Sequence, residues 1–188
     1  SKTNALGQKT RFIYDAEGQL RYSMNHEGAV VETRYNAQNQ LEWSTAYSRH
    51  LESSAAFETL EQVAQALQSI TQEHADETTR YEYNVLGQLI AKHTGRNGLI
   101  QSEYNAFGEL TLSKQRISSA RERISVLSYD RRGLLVQTID DSSGLAKESS
   151  VEYDEFGRVI ATTDGRHNTF RYSLDKRGQQ VQLTNAKN

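Results

Sequence analysis

The chain has 188 residues, 36% of them apolar, a formal net charge of -2, and neither cysteine nor proline. The lack of cysteine excludes a disulfide framework, thiolate metal sites and a cysteine nucleophile. The balanced charge offers no basic field for nucleic acid, and no stretch approaches the roughly 18 apolar residues of a membrane span.

Taken in chain order, the elements are dictated by turns. Ten of the twelve glycines close a four-residue quartet, at Asn4 to Gly7, Asp15 to Gly18, Asn25 to Gly28, Asn84 to Gly87, Gly95 to Gly98, Asn105 to Gly108, Asp130 to Gly133, Asp141 to Gly144, Asp154 to Gly157 and Asp175 to Gly178. Most follow one another at ten or eleven residues, the length of a strand plus a turn, so the spacing predicts an antiparallel β-meander written as an internal repeat. A further turn is expected at Asp164 to Asn168. Between Tyr104 and Tyr129 no glycine turn occurs, and Ser118-Ser119-Ala120-Arg121 is the expected bend of a longer hairpin.

One unit, Tyr14-Asp15-Ala16-Glu17-Gly18-Gln19-Leu20, shows the physics. The Asp carboxylate accepts a hydrogen bond from an amide two residues on, which starts a type I turn, and Gly18 takes the positive φ that follows. Tyr14 then falls opposite Leu20 and forms a cross-strand pair at the root of the hairpin. The same motif recurs at Tyr83, Asn84, Gly87 and Leu89; at Tyr104, Asn105, Gly108 and Leu110; at Tyr129, Asp130, Gly133 and Leu135; and at Tyr153, Asp154, Gly157 and Val159. At Tyr35, Asn36, Asn39 and Leu41 an asparagine replaces the glycine, the residue that next best tolerates the left-handed conformation. A last copy, Asp175 to Gly178, has Leu174 in the tyrosine position. Continued by twos, the expected apolar face holds Phe12, Tyr14, Leu20, Tyr22, Met24, Leu41, Trp43, Tyr81, Tyr83, Leu110, Leu112, Val151, Tyr153, Phe170 and Tyr172. The charged face holds Arg21, Arg34, Glu42, Glu82, Lys92, Glu103, Glu152 and Arg158.

The repeat is interrupted over residues 51–78. Phe57, Leu60, Val63, Ala64, Leu67 and Ile70 recur at three and four, which predicts one amphipathic helix over about 53–74 with Ser53 or Ser54 as its N-cap. No Lys or Arg occurs between Arg49 and Arg80, so this insertion is acidic. Its narrow stripe suits either a cover for the sheet or a docking element for a partner.

No residue is nominated as catalytic, cofactor-binding or metal-ligating. The five histidines, His26, His50, His74, His93 and His167, are scattered, and no nucleophile elbow, phosphate loop or zinc motif is present. Asp140 and Asp141 before Ser142 lack the oxygen spacing of a calcium loop. The aspartates and asparagines of the repeat each have a capping task in their own turn.

The Tyr-Asp-x-x-Gly-x-Leu units resemble the YD repeats of the rearrangement-hotspot (RHS) family, over nearly the whole chain outside residues 51–78. The resemblance implies a mainly β fold, a curved strip of repeat hairpins that spirals into a hollow shell. In bacterial RHS toxins and the shell components of insecticidal toxin complexes such a shell encloses a C-terminal toxin domain. In teneurin-type cell-surface proteins it forms an adhesion barrel. The expected reading is therefore a single repeat segment, residues 1–188, of a larger secreted or injected bacterial protein. Its expected role is that of a non-enzymatic wall, with a carbohydrate-binding or adhesion module as the alternative. Its expected partners are the neighbouring repeats, the enclosed toxin and other copies met through open strand edges, with no nucleic acid and no membrane. RHS toxin cores end in a proline-containing cleavage motif, and the chain has no proline, so no cleaving residue is carried over.

Overall fold

The computed structural model describes residues 1–51, 57–68, 76–95, 97–142 and 144–186. These form two compact units, Ser1–Gly98 and Leu99–Asn188. In each, successive strands are antiparallel neighbours in the sheet, the meander that the glycine spacing predicts.

The first unit contains β1 (Lys2–Thr3), β2 (Lys9–Tyr14), β3 (Leu20–Met24), β4 (Val30–Tyr35), β5 (Leu41–Ala46), α1 (Leu60–Gln68), β6 (Glu77–Tyr83) and β7 (Leu89–Thr94). The second consists of β8 (Gly98–Tyr104, entered one residue early), β9 (Leu110–Ser118), β10 (Arg121–Tyr129), β11 (Leu135–Asp140), β12 (Lys147–Tyr153), β13 (Val159–Thr163), β14 (Thr169–Leu174) and β15 (Gln180–Ala186). The hairpin of β9 and β10 is the long one, and it bends at Ser119 and Ala120, between Ser118 and its partner Arg121.

The turns close as the motif requires. The Asp15 amide donates to the Gln19 carbonyl at 2.9 Å, and the Gly18 amide to the Asp15 carbonyl at 3.1 Å, with Gly18 at φ 79°. Asn39 takes the same left-handed place at φ 61°. So does His167, at φ 63° in the Asp164 turn, although a histidine pays a steric cost there that glycine does not. Two quartets depart from expectation. Gly98 opens β8 and Asn97 holds the positive φ in its stead. At Asp141 to Gly144 the positive φ falls on Asp141 and Ala146, because the Ala146 amide reaches back to the Asp141 carbonyl and the turn becomes longer.

The expected division of faces is corrected by a β-bulge. Tyr14 pairs with Leu20, but Ile13 pairs with Tyr22, so Arg21 has no residue opposite it. Ile13 and Tyr14 point to opposite faces, and their partners Tyr22 and Leu20 must therefore do so too. The same one-residue shift leaves Glu42, Ile90, Thr111, Val136, Ile160 and Val181 unpaired, each directly after the residue that follows its turn. Strict alternation fails at these points. Leu20 shares a face with Phe12 and Tyr14, whereas Tyr22 and Met24 lie on the other with Ile13. Likewise Trp43 joins Arg34, and Leu112 joins Glu103.

The interior of the first unit follows from this flip. Ile13, Tyr22, Met24 and Val30 form one buried cluster with Leu51 and with Val63 and Leu67 of α1. Phe57, Leu60 and Ala66 pack around it, so the helix covers the sheet over β2, β3 and β4. The helix begins later than expected. Thr59 caps it, with its hydroxyl accepting the Gln62 amide at 3.3 Å, while the Gln62 side chain accepts the amides of Glu58 and Thr59 at 2.8 and 3.1 Å. That reciprocal pair is a capping box, which fixes the start more firmly than a lone serine. Ser53, Ser54 and Ile70 lie outside the described residues.

Candidate functional site

The tyrosine turns are the repeated device. At Asn36, Asn84, Asn105, Asp130, Asp154 and Asp175 the side chain does more than start the turn, because one oxygen accepts the amides two and four residues on, whereas Asp15 accepts the Gln19 amide, four residues on, at 2.8 Å. Asn84 takes Leu86 and Gln88, both at 3.0 Å, and Asp154 takes Phe156 and Arg158, both at 2.9 Å. These bonds favour the charged carboxylate. The Leu134 amide leads the effects that hold Asp130 below its ordinary range. Asp154 is also held low: burial alone would raise it, and the Arg158 and Phe156 amides with the Arg158 guanidinium outweigh that. Asp164 is lowered first by the Asn168 side chain.

Successive turns also touch. The Gln40 side chain donates to the Gly87 carbonyl at 3.0 Å, and Arg132 to the Asp154 carbonyl at 2.7 Å. Leu134 lies against Gly157, and Arg158 against Gly178.

The tyrosine has a second role. Between one repeat and the next, the ladder stops short of the turn: β5 and β6 pair only as far as Trp43 and Arg80, β9 and β10 as far as Leu112 and Val126, β11 and β12 as far as Gln137 and Ser150. The bulge splays the strands there and leaves the carbonyl of the first residue after the turn without a ladder partner. A phenol from the following repeat takes it. Tyr83 donates to the Leu41 carbonyl, Tyr129 to that of Leu110 and Tyr153 to that of Leu135, each at 2.9 Å. The Leu20 carbonyl accepts the Thr33 hydroxyl instead. Beside Val159 the donor position is Leu174, which has no hydroxyl, and Tyr172 bonds Thr162 instead. Tyr14, the first copy, is 53% exposed. Burial pushes the Tyr83 phenol up, so it remains a donor.

The candidate positions thus fall into pairs at the hairpin roots: Tyr14 with Leu20, Tyr35 with Leu41, Tyr83 with Leu89, Tyr104 with Leu110, Tyr129 with Leu135 and Tyr153 with Val159. The turns at Asn36, Asn105 and Asp175 close through the same amide pattern, with Gly87, Gly108, Gly133, Gly157 and Gly178 at φ between 79° and 85°. Sequence reasoning did not find the hydroxyl-to-carbonyl link, although the retained phenol, where phenylalanine would pack equally well, was its signal.

Two further features stand on the first unit. Glu32, 4% exposed, accepts the Tyr47 hydroxyl at 2.6 Å and lies 3.3 Å from Arg34 and 3.6 Å from Arg21. Burial and then the hydrogen bond to Glu32 raise the Tyr47 phenol, and burial with the charge of Glu32 raises Tyr22. An open cleft of about 770 Å³ lies where β5 and β6 splay, bordered by Asn36, Gln38, Gln40, Glu42, Tyr81 and Glu82 among others. Among the described residues no group of three or more His, Asp or Glu side chains is placed to hold a metal ion.

Comparison with known proteins agrees with the turn chemistry. Residues 153–188 match the family described as RHS Repeat. No curated protein matches the chain. Among solved structures, the fold is similar to that of TcdB2-TccC3 in complex with Cdc42 (16% identity, TM-score 0.70, 94% of this chain and 9% of that one). It is also similar to TcdB2-TccC3 without its hypervariable C-terminal region (15%, 0.70, 98% and 9%). The Tc holotoxin pore of Photorhabdus luminescens is a third (15%, 0.68, 95% and 9%). The chain spans about a tenth of the length of the proteins it matches. Residues 153–188 thus match an RHS repeat, and the same turn geometry recurs through both units.

Proposed function

We propose that the chain is a non-enzymatic wall segment of a larger RHS shell, secreted or injected by a bacterium, that encloses a C-terminal toxin domain. On this reading residues 1–188 are one repeat segment and residues 51–78 an acidic insertion within it. The observation that carries it is the phenol of one repeat bonded to the leucine carbonyl of the repeat before, at Tyr83, Tyr129 and Tyr153. Such a link makes each repeat depend on its neighbour, as a continuous wall requires. The geometry repeated along the chain serves turns and joints, and the acids of the motif are occupied by amides of their own turns. Neighbouring repeats and the cargo are the partners, and open strand edges favour association of isolated copies.

The test is protease protection in the intact parent protein. A downstream domain that stays uncut until the repeat region is denatured agrees with enclosure. A downstream domain cleaved as fast in the native protein as in isolation refutes it.

A second reading, carbohydrate binding, is favoured by the cleft between β5 and β6. Its amides, its carboxylates and the Tyr81 ring are the groups that chelate sugar hydroxyls and stack on sugar rings. Glycan-array binding by the chain that is lost in Tyr81→Ala would support this second reading, and silence on the array would remove it.

A further inference from the structure

Asn97 is the one asparagine in the chain that a glycine follows. The turn that leads from β7 into β8 explains the pair. Asn97 stands where the tyrosine turns place a glycine, at φ 60°, a conformation that asparagine tolerates best after glycine itself. Gly98 comes next because the Thr94 hydroxyl occupies the space that a Cβ would need. The turn therefore sets an asparagine side chain beside a main-chain nitrogen that no neighbouring Cβ shields.

Asn39 gives the comparison within the same unit. It is exposed like Asn97 and has nearly the same backbone, φ 61°. Its side-chain oxygen, however, accepts the Gln19 side chain at 2.8 Å, and the nitrogen that follows it, the Gln40 amide, donates to the Asn36 side chain at 2.9 Å. In the turn before β8 the residue in the place of Asn36 is Thr94, and among the described residues no side chain bonds the Gly98 amide or the Asn97 side chain. Asn25, Asn84 and Asn105 use their side-chain oxygens on amides of their own turns.

We infer that Asn97 is a site of spontaneous deamidation, with Gly98 as the attacking residue. The deprotonated Gly98 nitrogen adds to the side-chain carbonyl carbon of Asn97, and the bond from that carbon to the side-chain nitrogen breaks. Ammonia leaves, and the proton lost by the glycine nitrogen balances the one the ammonia takes up. Water then opens the resulting five-membered succinimide at either carbonyl. One opening gives aspartate, and the other gives isoaspartate, in which the main chain runs through the former side chain and is one carbon longer. The net reaction consumes water and releases ammonia, with no oxidant or cofactor, and adds one negative charge to the net -2. A side chain and an amide that are both free reach the attacking geometry without first breaking a hydrogen bond, which Asn39 and Gln40 must do. The aspartate product suits the left-handed position nearly as well as asparagine, whereas the isoaspartate product lengthens the turn. The inference goes beyond the enclosure reading and does not depend on it.

The native 188-residue chain is incubated at body temperature and mildly alkaline pH, digested at acid pH with a glutamate-specific protease, and each asparagine is followed by mass spectrometry. Asn97 is expected to deamidate at least about tenfold faster than Asn39, a barrier lower by about 1.4 kcal/mol, and to give separate aspartate and isoaspartate peptides. Asn97→Gly, which suits the positive φ, should remove the acidic species that isoelectric focusing resolves. Thr94→Asp restores the oxygen that holds this amide in the other turns, and should slow the reaction at Asn97 about fivefold, the effect of one hydrogen bond, with no slowing in urea. Equal rates at Asn97 and Asn39, the same acidic species in Asn97→Gly, an unchanged rate in folded Thr94→Asp, or an equal slowing of that variant in urea each overturns the assignment.

Discussion

Gly18 and Gly28 have nearly the same backbone, φ 79° and 85°, and different surroundings, which makes alanine at each a controlled experiment. A Cβ on Gly18 would meet nothing within 4 Å, whereas one on Gly28 would overlap the Leu51 carbonyl oxygen. For Gly18→Ala the left-handed conformation costs about 1–2 kcal/mol, offset by about 0.4–1 kcal/mol from a stiffer unfolded chain. A net loss of about 1 kcal/mol is expected. Gly28→Ala carries the same terms and must also push the Leu51 backbone away. That movement breaks the bond from the Leu51 amide to the Gly28 carbonyl, 2.9 Å, worth about 1 kcal/mol. It also disturbs Leu51, which is buried with Val63 and Leu67, at about 1–3 kcal/mol for a forced shift in a packed interior. The expected loss is about 3–5 kcal/mol. Urea denaturation followed by Trp43 fluorescence reads the unit in which both lie. Equal losses for the two variants, within 0.5 kcal/mol or so of experimental precision, would refute the argument that Leu51 is held against the Gly28 turn.

Leu174→Tyr supplies the missing phenol beside Val159, and by analogy with Tyr153 it is expected to stabilise the second unit by about 0.5–1.5 kcal/mol; a measured loss of stability would show that the joint there has a different geometry. Tyr153→Phe removes the donor to the Leu135 carbonyl and should cost about 1–2 kcal/mol in calorimetry, because that carbonyl has no ladder partner to return to. Leu67→Ala, at a buried position of α1, should cost about 2–5 kcal/mol, whereas a helix that does not cover the sheet would lose far less. Acid should destabilise the second unit. The side chains of Arg123 and Ser125 hold Asp140 at about 2, below its unfolded value of about 3.9. The unfolded state therefore binds the proton first, and the stabilisation, full above about pH 4–5, is lost as pH falls through roughly 4 to 2. Asp140→Asn should flatten the melting temperature over that window, and an unchanged slope would count against the ion pair.

The meander was legible because the turns carry it: ten glycine quartets at strand-plus-turn spacing fix where each hairpin reverses, and the Asn39 substitution obeys the same backbone rule. The pairing of Tyr14 with Leu20 was legible for the same reason, since the turn sets the register at its root. What lay past the root was not. A bulge after each Leu is a property of how two strands accommodate the turn and twist, and no residue type marks it: Arg21, Glu42, Ile90 and Thr111 all occupy the place. Alternation counted through it puts Tyr22, Trp43 and Leu112 on the wrong face. The helix start was missed for a nearer cause, a serine weighed alone where Thr59 and Gln62 act together. The link from phenol to carbonyl joins residues up to 42 positions apart, Leu41 to Tyr83, and only the structure shows that the ladder leaves those carbonyls free.

The claim that the tyrosines tie one repeat to the next is tested most directly by hydrogen exchange on the chain with Tyr83, Tyr129 and Tyr153 all changed to phenylalanine. Amides that pair between repeats, such as those of Ser150 with Gln137 and Val126 with Leu112, are predicted to lose protection, while amides within each hairpin, such as Asp154 and Gly157, keep theirs. Uniform loss throughout, or no loss at the junctions, would contradict it.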